Sequence, residues 1–388
     1  MQAMGRNPVQ HPRRFRPMNL AAIAALIACC SVAFGQDARP QTPRAPFPYS
    51  SEEVTIPAGD GADHTLAGTL TVPEASVWGN GPHPAMVLVT GSGPQDRDET
   101  IMGHKPFAVL ADYLTRRGIA VLRYDDRGVG RSTGSFADAT VRGLASDARA
   151  AWSFLRDHPA TDPARVGIGG HSEGGLIAPM VAADEPGVAF VVMLAGPGVP
   201  GSEVLLFQSE FLMRAGGLAE DFIAENQSIR RAIFALVHEG ADDATVLGEV
   251  ERLMDMELAY MKDPEARRRM AQQALPQFAG AWAREFLTID PADALSRVAV
   301  PVLALNGTLD TQVNADQNLI PIERALAAGP CPSATVVRLK NLNHLFQPAE
   351  TGMFGEYGAI ETTFDEAAMG LIAGWVSSVT GVKPPVGE

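Results

Sequence analysis

Val166-Gly167-Ile168-Gly169-Gly170-His171-Ser172-Glu173-Gly174-Gly175 is the stretch whose reading decides the fold. Residues 164–169 read as the end of a buried strand, and the apolar run 176–183 reads as a buried helix. Between them stands Gly170-His171-Ser172-Glu173-Gly174, a Gly-x-Ser-x-Gly element. A sharp strand-to-helix turn brings neighbouring backbone very close, so the positions flanking the serine must lack side chains. The turn lifts Ser172 clear of the sheet as a candidate nucleophile. It also aims the Glu173 amide at the place where an oxyanion would form. The pattern alone is weak, because a chain with 38 Gly matches it again at Gly130-Arg131-Ser132-Thr133-Gly134. That second match runs into the polar stretch 135–139 with no immediate apolar helix, so Ser172 is the candidate and Ser132 is not.

Outward from the elbow, strand and helix signals alternate. Residues 85–90 are a nearly continuous apolar run, as in a strand buried on both faces. It ends in Gly91-Ser92-Gly93-Pro94-Gln95-Asp96-Arg97-Asp98, which is either an ordinary strand-end turn or the source of a second oxyanion amide, at Ser92 or Gly93. Phe107, Leu110, Ala111 and Leu114 have helical spacing, with Gly118 as the stop. Residues 119–124 form the next strand. In the loop after it, Asp125-Asp126-Arg127, an Asp–Arg pair bracing the loop is preferred to substrate contact. Val141, Leu144, Ala148, Trp152 and Leu155 make an amphipathic helix, and 188–194 a further buried strand. This alternation predicts an α/β fold with a doubly wound, mainly parallel sheet, whose ligands sit beyond the carboxyl ends of the strands. Residues 53–57 and 64–72 alternate around Gly59-Asp60-Gly61 and predict an N-terminal β-hairpin.

Residues 200–290 carry no strand signal and four broadly helical stretches, read as an inserted cap between a first core part, 53–199, and a second, 291–388. Pro276 is expected to kink or break the last cap helix. The cap's Met and aromatic residues either join helix to helix or, in a minority, line an apolar pocket.

A nucleophilic serine needs a base, and the base an orienting acid, in the chain order Ser, Asp or Glu, His. His344 is the single histidine after residue 238 and follows the last strand signal. Asp310 closely follows the strand signal at 302–306, whereas Asp290 and Asp293 precede it and read as capping or loop residues. His171, next to the serine in sequence, is expected to point away from the required geometry.

With these residues in place, the chain resembles the α/β-hydrolase superfamily, and most of all its exported bacterial carboxylesterases, grouped with serine aminopeptidase-like hydrolases. The resemblance covers about residues 53 to 380 and is carried by 91–98, 125–134, the elbow, 282–291, 305–313 and 342–347. It implies Ser172 as nucleophile, Asp310 as acid, His344 as base and Glu173 as an oxyanion amide. The implied reaction is hydrolysis of a small-molecule carboxylic ester through an acyl-enzyme, with no cofactor and no metal. Lys340-Asn341 departs from the Pro-Gly expected before the histidine loop, which bears on loop shape. A serine aminopeptidase-like peptidase, a thioesterase or a lactonase would use the same machinery. A non-catalytic binding protein on a hydrolase scaffold is the alternative of a different class. The acyl and alcohol preference and the oligomeric state stay open.

The net charge of −14 argues against nucleic acid as a partner. Residues 1–35 read as an export leader: Arg6, Arg13, Arg14 and Arg16 in a basic start, an apolar run over 20–34, and Ala33-Phe34-Gly35 as a small-x-small cleavage site. Periplasmic or secreted localisation follows. Leu26-Ile27-Ala28-Cys29 also resembles a lipobox, and a membrane anchor is expected only if Cys29 is lipidated. Cleavage would leave Cys331 alone, with no disulfide framework. Residues 36–52, rich in Pro, read as a flexible tether.

Overall fold

The computed structural model describes residues 39–59 and 61–382; the leader at 1–35 and Cys29 lie outside them. Strands β1 (Tyr49–Pro57) and β2 (Thr65–Pro73) form the N-terminal antiparallel hairpin, pairing Tyr49 with Pro73 and Pro57 with Thr65. Next come α1 (Ala75–Trp78), β3 (His83–Val89), α2 (Pro106–Thr115), β4 (Ala120–Tyr124), α3 (Val141–Arg156), β5 (Thr161–His171), α4 (Glu173–Asp184) and β6 (Val191–Leu194). The chain then passes through α5 (Gly201–Ala215), α6 (Glu220–His238), α7 (Asp243–Glu257), α8 (Pro264–Ala279), α9 (Ala281–Thr288) and the short α10 (Pro291–Leu295). It returns to the sheet with β7 (Val302–Gly307), α11 (Ala315–Ala328) and β8 (Ala334–Leu339), and ends in α12 (Glu366–Thr380).

The eight strands form one sheet in the order β1-β2-β4-β3-β5-β6-β7-β8. β2 pairs antiparallel with β1 and β4, and every other pair is parallel. β3 shows why the parallel strands read as unbroken apolar runs. Its Ala85, Val87 and Val89 join a core with Trp152 of α3 and Ile177 of α4. Its Met86 and Leu88 join another with Leu110 of α2 and Ile372 of α12. Helices cover both faces, so neither face needs polar residues. The cap helices build a core of their own around Ile233, Val250, Leu253 and Phe278.

Two expectations are corrected here. Pro276 does not break the last cap helix; it sits inside α8, and the break falls at Gly280, whose backbone is extended and whose amide bonds the Pro276 carbonyl at 2.9 Å. The described part of the expected tether is docked instead. Arg39 is buried and donates to the carbonyls of Gly358 (2.7 Å), Ile360 (2.9 Å) and Met102 (3.1 Å). Gln41 bonds both the amide and the carbonyl of Phe364, and β1 takes over at Tyr49. The physical reason is that residues 358–364 are largely irregular, and their backbone groups need partners that no sheet ladder supplies.

Candidate active site

The elbow is built by close approach of backbone. A side chain at Gly170 would collide with the Gly174 carbonyl, one at Gly174 with the Val89 carbonyl, and one at Gly175 would lie 2.6 Å from the Gly196 Cα. Ser172, between β5 and α4, holds φ +54° and ψ −117°, a strained conformation for a residue with a Cβ. Its amide is fixed to the Leu194 carbonyl at 2.9 Å. Glu173 opens α4, so its N–H is one of the helix-start donors without an intrahelical acceptor.

Asp310 and His344 come together from loops after β7 and β8. Asp310 is buried; its Oδ1 accepts from the amides of Gln312 and Val313, both at 2.8 Å, which leaves Oδ2 for His344 Nδ1 at 2.8 Å. A carboxylate at Nδ1 places that nitrogen's proton there and leaves Nε2 with its lone pair. The histidine loop is stapled by Asn343, whose Oδ1 accepts from the amides of Leu345 and Gln347, both at 3.0 Å. The His344 ring lies 4.6 Å, centroid to centroid, from that of His171, the residue before Ser172. The hydrogen bonds of the described residues include Asp310–His344 but none from the Ser172 hydroxyl to His344, a link that often tightens only around substrate.

The loop 91–98 starts against the elbow: a side chain at Gly91 would lie 3.1 Å from the Ser172 Cβ. The Gly91 amide is taken by Glu99 Oε1 at 2.8 Å and the Gln95 amide by Asp126 Oδ2 at 2.9 Å. Ser92 is exposed, and Gly93 holds φ +90°, open only to glycine without strain. The loop is braced from behind by an Asp–Arg pair. Arg97, from the loop itself, makes a two-pronged contact to Asp125 at 2.9 and 2.7 Å. Arg127 turns away to Asp147. Burial pushes the Asp126 carboxyl up to about 8, against the lowering bonds from Gln95 and Thr90. Ser132 is structural: its hydroxyl donates to the Asp125 carbonyl and accepts from the Ala67 amide.

Three participants escaped the sequence reading. The Glu173 side chain turns inward; Oε1 accepts from Trp282 Nε1 of the cap at 2.7 Å, while Oε2 is buried without a partner. Burial raises this carboxyl to about 7, with the bonds from Trp282 and Ser92 opposing. His171 does not stand aside, because its Nε2 bonds the His344 carbonyl at 2.8 Å. Glu99, 1% exposed, bonds His171 Nδ1 at 2.8 Å. Nothing in the spacing of Glu99 or Trp282 marks them; only the nearness of His171 to the serine could have raised a question. Among the described residues, no group of three or more His, Cys, Asp or Glu could hold a metal ion, and no helix is long and apolar enough to cross a membrane.

Known proteins agree with this fold. The chain is 27% identical over 307 residues to Esterase EstD of Thermotoga maritima, covering 79% of this chain and 62% of that relative's length. Among solved structures, a hypothetical protein of Pseudomonas aeruginosa superposes with a TM-score of 0.53 at 16% identity, over 90% of this chain and 99% of its own. The α/β hydrolase GrgF of a Penicillium species gives 0.52 at 16% identity, over 86% and 100%. Both show the fold. The family model described as serine aminopeptidase, S33, matches residues 104–347, a span that takes in β4 to β8, the elbow, the cap and the His344 loop, and the chain belongs to that family of α/β hydrolases.

Proposed function

We propose that the protein is a serine hydrolase that cleaves carboxylic esters through an acyl-enzyme. The observation that carries this reading is the Asp310–His344 hydrogen bond beside an elbow serine held at φ +54°. Ser172 attacks the ester carbonyl while His344 Nε2 takes its proton. Asp310 holds the tautomer and stabilises the imidazolium that forms. The oxyanion is met by the Glu173 amide at the positive end of α4, and by an amide of Ser92 or Gly93. His344 then returns its proton to the leaving alcohol. Water, activated by the same base, releases the acid.

The printed name of the Thermotoga relative, an esterase, supports ester over amide substrates. We propose export as well, on the basic start, apolar run and small-x-small site of residues 1–35. The mass of the mature N-terminus separates cleavage after Gly35 from lipidation at Cys29.

Release of p-nitrophenol from short and medium acyl esters, beside aminoacyl anilides, tests the substrate class. Ester turnover that disappears in Ser172→Ala is expected. Anilide cleavage without ester turnover would make the protein a peptidase.

A further inference from the structure

Glu99 and His171 form a buried pair that the hydrolytic steps above do not use. Both ring nitrogens of His171 face acceptors: Nδ1 lies 2.8 Å from Glu99 Oε1, and Nε2 lies 2.8 Å from the His344 carbonyl. A neutral imidazole has one N–H and cannot donate to both. The pair must therefore hold two protons, either both on His171 or one shared out to Glu99. In each case Nε2 carries a proton toward His344. The same Oε1 of Glu99 also accepts the Gly91 amide at 2.8 Å. One carboxyl oxygen thus joins the start of the loop bearing Ser92 and Gly93 to His171, and His171 joins the elbow to the loop bearing His344. Glu99 is held there at φ +54°, a conformation that costs energy outside glycine.

The groups facing His171 are Glu99 from the loop after β3, Asp310 from the loop after β7, and the ring and carbonyl of His344 from the loop after β8. Burial disfavours charge on His171. The Glu99 carboxylate, the His344 carbonyl and Asp310 outweigh it, and the imidazole is held above its ordinary value.

We propose that Glu99 and His171 are a positioning pair, which ties the Gly91 loop and the His344 loop to the nucleophile elbow through two simultaneous hydrogen bonds from His171. The effect on turnover rests on the serine-hydrolase reading; the protonation of His171 does not.

Glu99→Gln is the informative variant because it keeps the size of the side chain. With its oxygen toward Gly91, the amide needs a proton on Nδ1, and a neutral His171 then turns a bare Nε2 to the His344 carbonyl. Flipped, its NH2 group meets the Gly91 N–H. One link breaks either way until His171 gains a second proton at low pH. Three quantities are to be followed from pH 5 to 9 in the full chain: kcat and KM on a p-nitrophenyl ester, the rate of Ser172 labelling by a fluorophosphonate, and the imidazole 15N shifts of His171. At pH 8, Glu99→Gln is expected to lower kcat and labelling by about 10- to 100-fold with KM little changed, the size of loss a small misplacement causes. The ratio to wild type should approach one as pH falls. Glu99→Asp, which keeps the charge, should recover part of the rate.

Wild-type rates in Glu99→Gln at every pH would overturn the proposal. So would a wild-type spectrum in which Nε2 of His171 lacks its proton. A wild-type chain that neither turns over ester nor labels would refute the serine-hydrolase reading, while the 15N spectra would still decide the pair.

Discussion

Ser132 and Ser172 share a five-residue pattern, and the fold uses them oppositely. The Ser132 hydroxyl is spent on the Asp125 carbonyl at 2.7 Å and the Ala67 amide at 2.8 Å. Ser132→Ala strands both groups, and unfolding by denaturant should show a loss of about 1–3 kcal/mol, with ester turnover per folded molecule unchanged. Glu173 carries a pH dependence. Burial raises its carboxyl from an ordinary value near 4.5 to about 7. The folded chain therefore binds this proton more tightly than the unfolded one. The stability so gained is complete below about pH 4.5 and lost as pH rises through about 7. Glu173→Gln, which can keep the Trp282 bond, removes that slope. Its stability relative to wild type should rise by up to ~3 kcal/mol between those limits, measured by denaturation at several pH values. Equal slopes in the two proteins would contradict the buried carboxyl described here.

At the scale of elements, the parts legible in the sequence were those with local causes. The glycines around Ser172 announce a backbone crossing, the unbroken run ahead of Gly91 announces a strand covered on both faces, and chain order leads from Asp310 to His344. What the sequence hid depends on partners far along the chain. Glu99 meets His171 across 72 positions, and Trp282 meets Glu173 across 109. Pro276 was misleading because a helix tolerates one missing donor near its end, while Gly280 actually leaves the helical conformation. The Trp282 contact fastens α9 of the cap to α4 of the core, with the indole stacked on Phe286 at 4.7 Å. Trp282→Phe retains much of the stack and loses the indole donor, one of the groups that hold the Glu173 carboxyl down. That carboxyl should then keep its proton to a pH above about 7, visible in its 13C titration. A titration unmoved or shifted downward would show that the bond is not made in solution.

For the whole molecule, the N-terminal strap changes how the chain closes. Arg39 and Gln41 satisfy backbone groups of residues 358–364, which follow the His344 loop, so the start of the described chain is tied to its last third. Composition alone suggested a tether because Pro and polar residues serve linkers and docked straps equally. Arg39→Ala should lower the thermal midpoint, as loss of several buried donors costs about 1–3 kcal/mol or more; an unchanged midpoint would restore the tether. The central claim is that Ser172 is the nucleophile of this architecture. Peptide mapping by mass spectrometry after treatment with a fluorophosphonate tests it most directly. The account predicts one adduct, on the peptide containing Ser172, formed together with loss of ester hydrolysis and absent from both Ser172→Ala and His344→Ala. An adduct on Ser132, or ester hydrolysis that survives in Ser172→Ala, would contradict it.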